Sequence, residues 1–227
     1  MINDLINLFF PKACAGCDSF LQSTEMVICT QCRHDIPLTN HHKTENNEAT
    51  SKFYGRIPVE FAGALFHFQK KGIVQELIHK LKYKGHQEIG EFIGNWYGEE
   101  LKDNEILKSV DLIIPVPLHR KRLKKRGYNQ VTEFGKALAK TIEANFDETI
   151  LIRNIYTQTQ VKKNLVDRTS VIQNVFGTNY SEKHYNKHFL LIDDVLTTGA
   201  TLEACGSELM KIPGAKISIV CMAMSHL

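Results

Sequence analysis

The chain has 227 residues, of which 43% are hydrophobic and 23% charged, a composition typical of a folded globular protein. Its formal net charge is only +3, and no apolar run reaches the roughly 20 residues that a membrane-spanning helix needs. These properties exclude a disordered chain and a helical membrane protein, and the length allows one large domain with a small appendage.

The first ten residues contain Asp4 and no basic side chain, so they lack the positive region of a secretory signal. Ile2, Leu5, Ile6 and Phe9 fall on one helical face. This pattern predicts a short amphipathic helix that packs on its own domain rather than a membrane anchor. A cytoplasmic location is therefore expected, where cysteines stay reduced.

Two Cys-x2-Cys pairs come next, Cys14 with Cys17 and Cys29 with Cys32, separated by eleven residues. Each pair brings two thiolates to one ion, so both together close a tetrahedral shell and predict a structural zinc ribbon. The alternatives are unligated thiols, a disulfide pair or an iron–sulfur cluster, and a reducing compartment disfavours the disulfide. Four thiolates leave no open position for catalysis.

A polar tract over residues 39–52 follows the cysteine pairs, with His41 and His42 and no aliphatic side chain larger than Ala49. It has the composition of a loop or linker. We therefore divide the chain into a zinc ribbon with its linker over residues 1–55 and an α/β domain over residues 56–227.

The α/β domain is predicted from apolar runs of strand length that alternate with segments of helical periodicity. This alternation is typical of a parallel sheet flanked by helices. Strands are predicted over residues 61–68, 110–116, 189–192 and 217–222, and helices around residues 73–81, 87–101 and 130–145 and in a stretch that ends near residue 211.

Six of the 28 basic residues lie between residues 115 and 130, where no acidic residue occurs. Because the segment follows a predicted strand end, it should share a sheet edge with other strand ends. Three interpretations compete: its beginning binds pyrophosphate, its cations bind nucleic-acid phosphates, or it is a solvated helix face. The pyrophosphate candidates are Pro115, Val116, Pro117, Leu118, His119, Arg120, Lys82 and Lys84, and the nucleic-acid candidates are Arg120, Lys121, Arg122, Lys124, Lys125, Arg126 and Tyr128.

Residues 189–201 form the most informative segment. A buried strand delivers Asp193 and Asp194 to its end, and a turn rich in hydroxyl groups with one glycine then opens a helix. The turn amides and the helix N-terminus suit a phosphate, whereas the carboxylates suit ribose hydroxyls, directly or through hydrated magnesium. The competing interpretation is a helix cap preceded by solvated acids. The candidate residues are Asp193, Asp194, Val195, Leu196, Thr197, Thr198, Gly199, Ala200 and Thr201.

At all thirteen positions this segment resembles the 5-phosphoribosyl-1-pyrophosphate (PRPP) motif of type I phosphoribosyltransferases. The resemblance implies a type I phosphoribosyltransferase-like parallel sheet flanked by helices, in addition to the small N-terminal zinc ribbon. It also implies that PRPP binds with magnesium, with Asp193 and Asp194 on the ribose hydroxyls and residues 197–201 around the 5-phosphate.

Together the cysteine pairs, the Leu-Lys-Tyr-Lys-Gly run at residues 81–85, the basic segment and the PRPP motif are similar to the competence protein F family. A glutamine-rich stretch before the last motif adds to the likeness, through Gln158, Thr159, Gln160, Leu165 and Arg168. Val171 departs from the pattern, since relatives often have Asn there. The resemblance implies a role in uptake of transforming DNA beside a helicase-like partner.

Two functions are compatible with these patterns. In the first, the chain transfers a phosphoribosyl group to an unknown nitrogen acceptor, with Lys82, Lys84 and Arg120 stabilising the leaving pyrophosphate. In the second, it is a non-catalytic accessory factor that binds PRPP and single-stranded DNA. The sequence assigns no catalytic residue and does not decide whether the protein is an enzyme.

Overall fold

The computed structural model describes residues 11–44, 46–153 and 175–225. The amphipathic helix predicted from Ile2, Leu5, Ile6 and Phe9 lies outside the described residues. The same holds for the glutamine-rich stretch with Gln158, Thr159, Gln160, Leu165, Arg168 and Val171. Within the described part of the chain no helix is long and apolar enough to cross a membrane.

The described helices and strands alternate along most of the chain. The helices are α1 (Thr30–Asp35), α2 (Glu48–Ser51), α3 (Ile73–Tyr83), α4 (Glu88–Leu101), α5 (Arg120–Arg126), α6 (Thr132–Thr141) and α7 (Ala200–Leu209). The strands are β1 (Phe61–Phe68), β2 (Leu112–Pro115), β3 (Asn145–Phe146), β4 (Leu151–Arg153), β5 (Phe176–Thr178), β6 (His188–Leu196) and β7 (Lys216–Ser225).

Five strands form a parallel sheet in the order β1-β7-β6-β2-β3. The central strand β6 is buried on both faces, as its continuous apolar run predicts. Leu190 and Ile192 belong to a core cluster that contains side chains of α3, α4 and α6. Phe189 and Leu191 belong to a second cluster, which contains side chains of α7. The predicted parallel sheet flanked by helices is therefore confirmed.

Several boundaries differ from the sequence prediction. Strand β6 continues to Leu196, so both aspartates lie within the strand rather than after it. The basic segment contains a separate helix, α5, which buries none of its side chains. The antiparallel pair of β4 and β5 was not predicted, because each strand has only three residues, too few for a periodic pattern.

The polar tract predicted as a linker is instead packed against β1. Asn47 is buried; its side-chain oxygen accepts from the amides of Ala49 and Thr50, and its Nδ2 donates to Ala62 O at 2.9 Å. The side chain thus caps α2 and ties it to the sheet. Hydrophobicity patterns miss this contact because the packing residue is polar.

Candidate functional site

The ends of β2 and β6 meet at one edge of the sheet, where Pro115 pairs in register with Ile192. The amide of Val116 continues this ladder by donating to Ile192 O at 3.0 Å. Parallel strands end at a common edge, and ligands of open α/β sheets bind there. The chain thereby places the start of the basic segment beside the two aspartates of β6.

Asp194 is the buried member of the aspartate pair, with 6% of its surface exposed. Lys82 at the end of α3 donates to Oδ1 at 2.8 Å, and Gln130 donates to Oδ2 at 2.5 Å. A buried carboxylate needs such partners to offset its desolvation. Asp194 therefore joins three chain segments and stays fixed in position.

Asp193 is partly exposed and has a different electrostatic environment. Burial and then the charge of Asp194 raise the pKa of Asp193 to about 7, although Lys82 and Arg153 oppose this shift. A cation or a hydroxyl donor at this carboxylate would favour its ionised form. A ligand can thus shift the Asp193 carboxyl from its protonated form to its ionised form.

Arg153 is a residue of this region that the sequence analysis missed. It lies on β4, its guanidinium is 5.1 Å from the ring centre of Phe176, and its charge acts on Asp193. No local motif distinguishes it from other arginines. Its relevance depends on the β4–β5 pair, which brings it to the aspartates.

The turn after β6 leads directly into α7. Thr197, Thr198 and Thr201 are exposed, and Gly199 has φ of 78°, in the left-handed region that favours glycine. The turn amides and the start of α7 are therefore accessible to an anion. The intervening Val195 and Leu196 pack into the core instead, so they contribute backbone rather than side chains.

A second residue missed by the sequence analysis supports this turn. Arg56 Nη1 donates to Thr198 O at 2.7 Å, although the two residues lie 142 positions apart. The same side chain pairs with Glu203 of α7. It belongs to the segment after α2, where the composition predicts only a domain boundary.

The basic segment is divided by the structure into two parts. Some of its cations join Lys82 and two tyrosines around a cleft of about 350 Å³, whereas Arg120, Lys121 and Lys124 are exposed and do not line this cleft. Lys84 is likewise exposed. The residues around this cleft, which we call the basic cleft, are Lys82, Tyr83, Gly85, Arg122, Lys125, Arg126 and Tyr128.

The basic cleft is connected to the aspartates by hydrogen bonds. Arg126 donates to the side-chain oxygen of Gln130, which itself donates to Asp194. The Arg126 guanidinium also lies 5.6 Å from the ring centre of Tyr83. Tyr128 donates its hydroxyl to Leu81 O, so this hydroxyl is engaged with the end of α3.

The remaining residues of the basic segment shape the loop between β2 and α5. His119 caps α5 by accepting from the Lys121 amide at 3.2 Å. Asn129 donates to Val116 O at 3.0 Å and holds the two ends of the segment together. Pro117 and Leu118 are partly buried between these points. This loop is thus fixed by its own hydrogen bonds.

The four N-terminal cysteines form a cluster in which the sulfur atoms all lie within 4.8 Å of one another. Cys14 Sγ accepts from the amides of Gly16 and Cys29 at 3.3 and 3.2 Å, and Cys29 Sγ accepts from the amide of Cys32 at 3.4 Å. Such bonds stabilise thiolates. The geometry and the donor set fit a tetrahedral zinc ion.

The thiols of this cluster differ in acidity. Hydrogen bonds from the Ser19 hydroxyl and amide lower the pKa of Cys17 to about 6, whereas burial raises the pKa of Cys32. A bound cation is what would hold all four groups as thiolates. The four cysteines together could therefore hold a metal ion such as zinc.

Known proteins that are similar in sequence to this chain include the following two. The chain is 25% identical over 214 residues to "Competence protein F" of Haemophilus influenzae, covering 91% of this chain and 87% of that protein. It is 27% identical over 149 residues to "DNA utilization protein YhgH" of Escherichia coli O157:H7, covering 64% and 65% of the two chains. The resemblance to the competence protein F family is thus confirmed. No family model matches the chain.

Two solved structures also match in part. One is adenine phosphoribosyltransferase from Leishmania tarentolae, 15% identical, covering 66% of this chain and 74% of that one with a TM-score of 0.38. The other is hypoxanthine phosphoribosyltransferase from Staphylococcus aureus, 18% identical, covering 60% and 62% with a TM-score of 0.36.

Proposed function

We propose that this chain is a PRPP-binding, phosphoribosyltransferase-like protein that acts in the uptake of transforming DNA. One observation carries the proposal: Asp193 and Asp194 lie near the carboxyl end of β6, beside the turn of residues 197–199 that opens α7. Acceptors for ribose hydroxyls and donors for a 5-phosphate are thereby contiguous. The names of the two relatives support the setting in DNA uptake.

In this proposal each part of the site has one task. The amides and hydroxyls of residues 197–201 bind the 5-phosphate, and the two carboxylates accept from the ribose hydroxyls. Asp193 would hold a magnesium ion together with the ribose, and such an ion would neutralise charge on the pyrophosphate. Lys82 and Gln130 hold the Asp194 carboxylate in position to accept from a ribose hydroxyl.

In an enzymatic role, phosphoribosyl transfer breaks the bond between the anomeric carbon of PRPP and a pyrophosphate oxygen, which leaves with the electron pair. A nitrogen acceptor supplies a lone pair for the new bond and releases a proton to solvent. The protein contributes positioning and charge stabilisation, to which the cations of the basic cleft would add.

The alternative is an accessory factor that binds PRPP and single-stranded DNA without turnover, beside a helicase-like partner in the cytoplasm. The basic cleft favours this role. Its Arg122 and Lys125 form no ion pair within residues 11–44, 46–153 and 175–225, so both charges are available to phosphates. Tyr83 is exposed and offers its ring for stacking on a base.

The test of PRPP binding is isothermal titration calorimetry of the full chain with PRPP and magnesium. Asp194→Asn removes a charged acceptor worth about 1.5–3 kcal/mol, so PRPP affinity should fall roughly ten- to hundredfold. Asp111→Asn is the matched control. Asp111 accepts from Lys187 and the His188 amide before β2 starts, and its change should leave affinity unaltered.

Failure of the unaltered chain to bind PRPP would overturn the proposal, as would equal effects of the two substitutions. A parallel assay for released pyrophosphate separates the two roles. Release that depends on one nitrogen base would identify an enzyme and its acceptor. Tight PRPP binding without release in the presence of any base would favour the accessory factor.

A further inference from the structure

The turn after α2 packs directly on α7. A Cβ built on Gly199 would lie 3.2 Å from Cε1 of Phe53, and one on Gly206 would lie 2.7 Å from Cδ1 of Ile57. The two glycines are two helical turns apart and so lie on the same side of α7. The absence of their side chains lets residues 53–57, which we call the bracing turn, closely approach residues 197–199, which we call the phosphate turn because the proposal places the 5-phosphate there.

Arg56 is the polar side chain of the bracing turn that reaches the phosphate turn. Its Nη1 donates to Thr198 O at 2.7 Å and to Lys52 O at 2.9 Å. Its Nε donates to Oε2 of Glu203 at 2.9 Å, and Nη2 contacts the same oxygen. Only 30% of the side chain is exposed. One guanidinium therefore joins the bracing turn, the phosphate turn and α7.

The bond to Thr198 O has a consequence for the next amide. In a planar trans peptide the C=O and N–H groups point in opposite directions. With Thr198 O held toward Arg56, the N–H of Gly199 is directed away from the bracing turn. Arg56 thus orients the Gly199 N–H at the start of α7 before any ligand arrives. Less conformational entropy is then lost when this N–H binds a phosphate.

The pairing with Glu203 has a second consequence. Glu203 lies in the first turn of α7, where a carboxylate is favoured by the helix dipole but would repel an anion bound at the same helix end. The Arg56 guanidinium neutralises the charge of the Glu203 carboxylate. A phosphate at the start of α7 therefore meets the helix dipole without an uncompensated negative charge one turn away.

We infer that Arg56 is a positioning residue for the phosphomonoester group of the ligand, acting through the Thr198–Gly199 peptide and through the charge of Glu203. The inference rests on the proposed function, because it concerns the site assigned to the 5-phosphate of PRPP. It extends the phosphate site to the bracing turn, which lies before β1 in the chain and outside the PRPP motif.

The experiment compares ligands that contain a 5-phosphate with one that lacks it. Ribose 5-phosphate and pyrophosphate, each with magnesium, are titrated into the full chain and into Arg56→Met, Glu203→Gln and the double variant. Arg56→Met should weaken ribose 5-phosphate binding about tenfold or more and leave pyrophosphate binding within about twofold. Glu203→Gln should bind ribose 5-phosphate at least as tightly as the unaltered chain.

The double variant separates the charge effect from simple loss of structure. Removing Glu203 as well should restore part of the affinity lost in Arg56→Met, because the uncompensated carboxylate is then gone. Arg33→Met serves as the matched control. Arg33 lies 4.1 Å from the ring centre of Trp96, and its loss should leave ribose 5-phosphate binding unaltered.

Three results would overturn the inference alone: unchanged ribose 5-phosphate binding in Arg56→Met, equal losses for both ligands, or a double variant no better than Arg56→Met. If Arg56→Met does not fold, the inference is overturned instead when Glu203→Gln binds ribose 5-phosphate more weakly than the unaltered chain does. If the unaltered chain binds neither PRPP nor ribose 5-phosphate, the proposed function fails together with this inference.

Discussion

At the scale of single residues, Asp193 and Asp194 show how two adjacent carboxylates acquire different properties. They are neighbours on one strand, so their side chains point to opposite sides of the sheet. Asp194 meets Lys82 and Gln130, whereas Asp193 is left with the charge of its neighbour and a pKa of about 7. The sequence identifies both residues but does not distinguish them.

The raised pKa of Asp193 predicts a pH dependence of stability. Between about pH 4 and pH 7 the native state holds a proton at Asp193 that the unfolded chain has lost, so this group lowers the free energy of unfolding as pH rises. Asp193→Asn should therefore stabilise the chain at pH 8 by roughly 1–4 kcal/mol and have little effect at pH 4. Urea denaturation at the two pH values measures this.

Asp111→Asn is the control with the opposite sign. Burial opposes ionisation of Asp111, but bonds from Lys187 and the His188 amide prevail and lower its pKa. Its stabilising contribution is present above the unfolded pKa and lost in acid, so Asp111→Asn should destabilise at pH 8. Equal stability of Asp193→Asn and the unaltered chain at pH 8 would contradict the prediction for Asp193.

At the scale of elements, α3 connects the cysteine cluster to the aspartates. Lys80 on α3 is buried; it donates to Cys14 O at 3.4 Å and pairs with Asp18 at 2.5 Å. Lys82, two residues later on the same helix, donates to Asp194 Oδ1. Core residues of the cysteine region and of α3 also share one hydrophobic cluster. The ribbon is therefore docked on the helix that carries Lys82.

This docking predicts the effect of losing the metal. Cys14→Ser should abolish stoichiometric zinc binding, measured by elemental analysis. Structural zinc typically contributes on the order of 10 kcal/mol to a small module. Because the cores are shared, the loss should lower the unfolding midpoint of the main transition by about 10 °C or more, rather than melt the ribbon separately.

Cys205→Ala is the control for that experiment, since Cys205 is buried on α7 outside the cluster. It should retain one zinc ion per chain whatever its stability. Full zinc content in Cys14→Ser would refute the metal site. A metal-free chain that melts at the unaltered midpoint would instead refute the coupling between the ribbon and the sheet domain.

At the scale of the whole molecule, the distribution of charge determines where anions bind, and the net charge does not. The net charge is +3, yet α5 carries six basic residues and buries none of its side chains. Because β2 and β6 are parallel neighbours, this positive helix lies at the same sheet edge as the aspartates and the phosphate turn. A long anion at the basic cleft would thus lie close to the proposed PRPP site.

The charge distribution predicts the salt dependence of single-stranded DNA binding. If the basic cleft contacts phosphates, Arg122→Gln with Lys125→Gln should make the slope of log affinity against log salt less steep by about 1.4, at about 0.7 per contact. Fluorescence anisotropy with an oligonucleotide measures the slope. Lys102→Gln with Lys108→Gln is the control, because both lysines are paired with Glu99 and Glu105. An undiminished slope in the cleft variant would remove the cleft from the interface.

The sequence by itself determined the features that depend on residues close together along the chain. The spacing of Cys14, Cys17, Cys29 and Cys32 predicts their cluster because each pair needs only one tight turn. The parallel sheet follows from the alternation of apolar runs and helical periodicity. The same short pattern places the aspartates where a strand leads into a turn and a helix, although the structure extends the strand past them to Leu196.

Only the tertiary structure decided the contacts between distant segments. Lys82 meets Asp194 across 112 positions, and Arg56 meets Thr198 across 142. The polar tract around Asn47 packs against β1, although its composition predicts a linker. A local pattern reports how each segment turns and which face it buries, but these contacts depend on where the path of the chain through the sheet places the two segments.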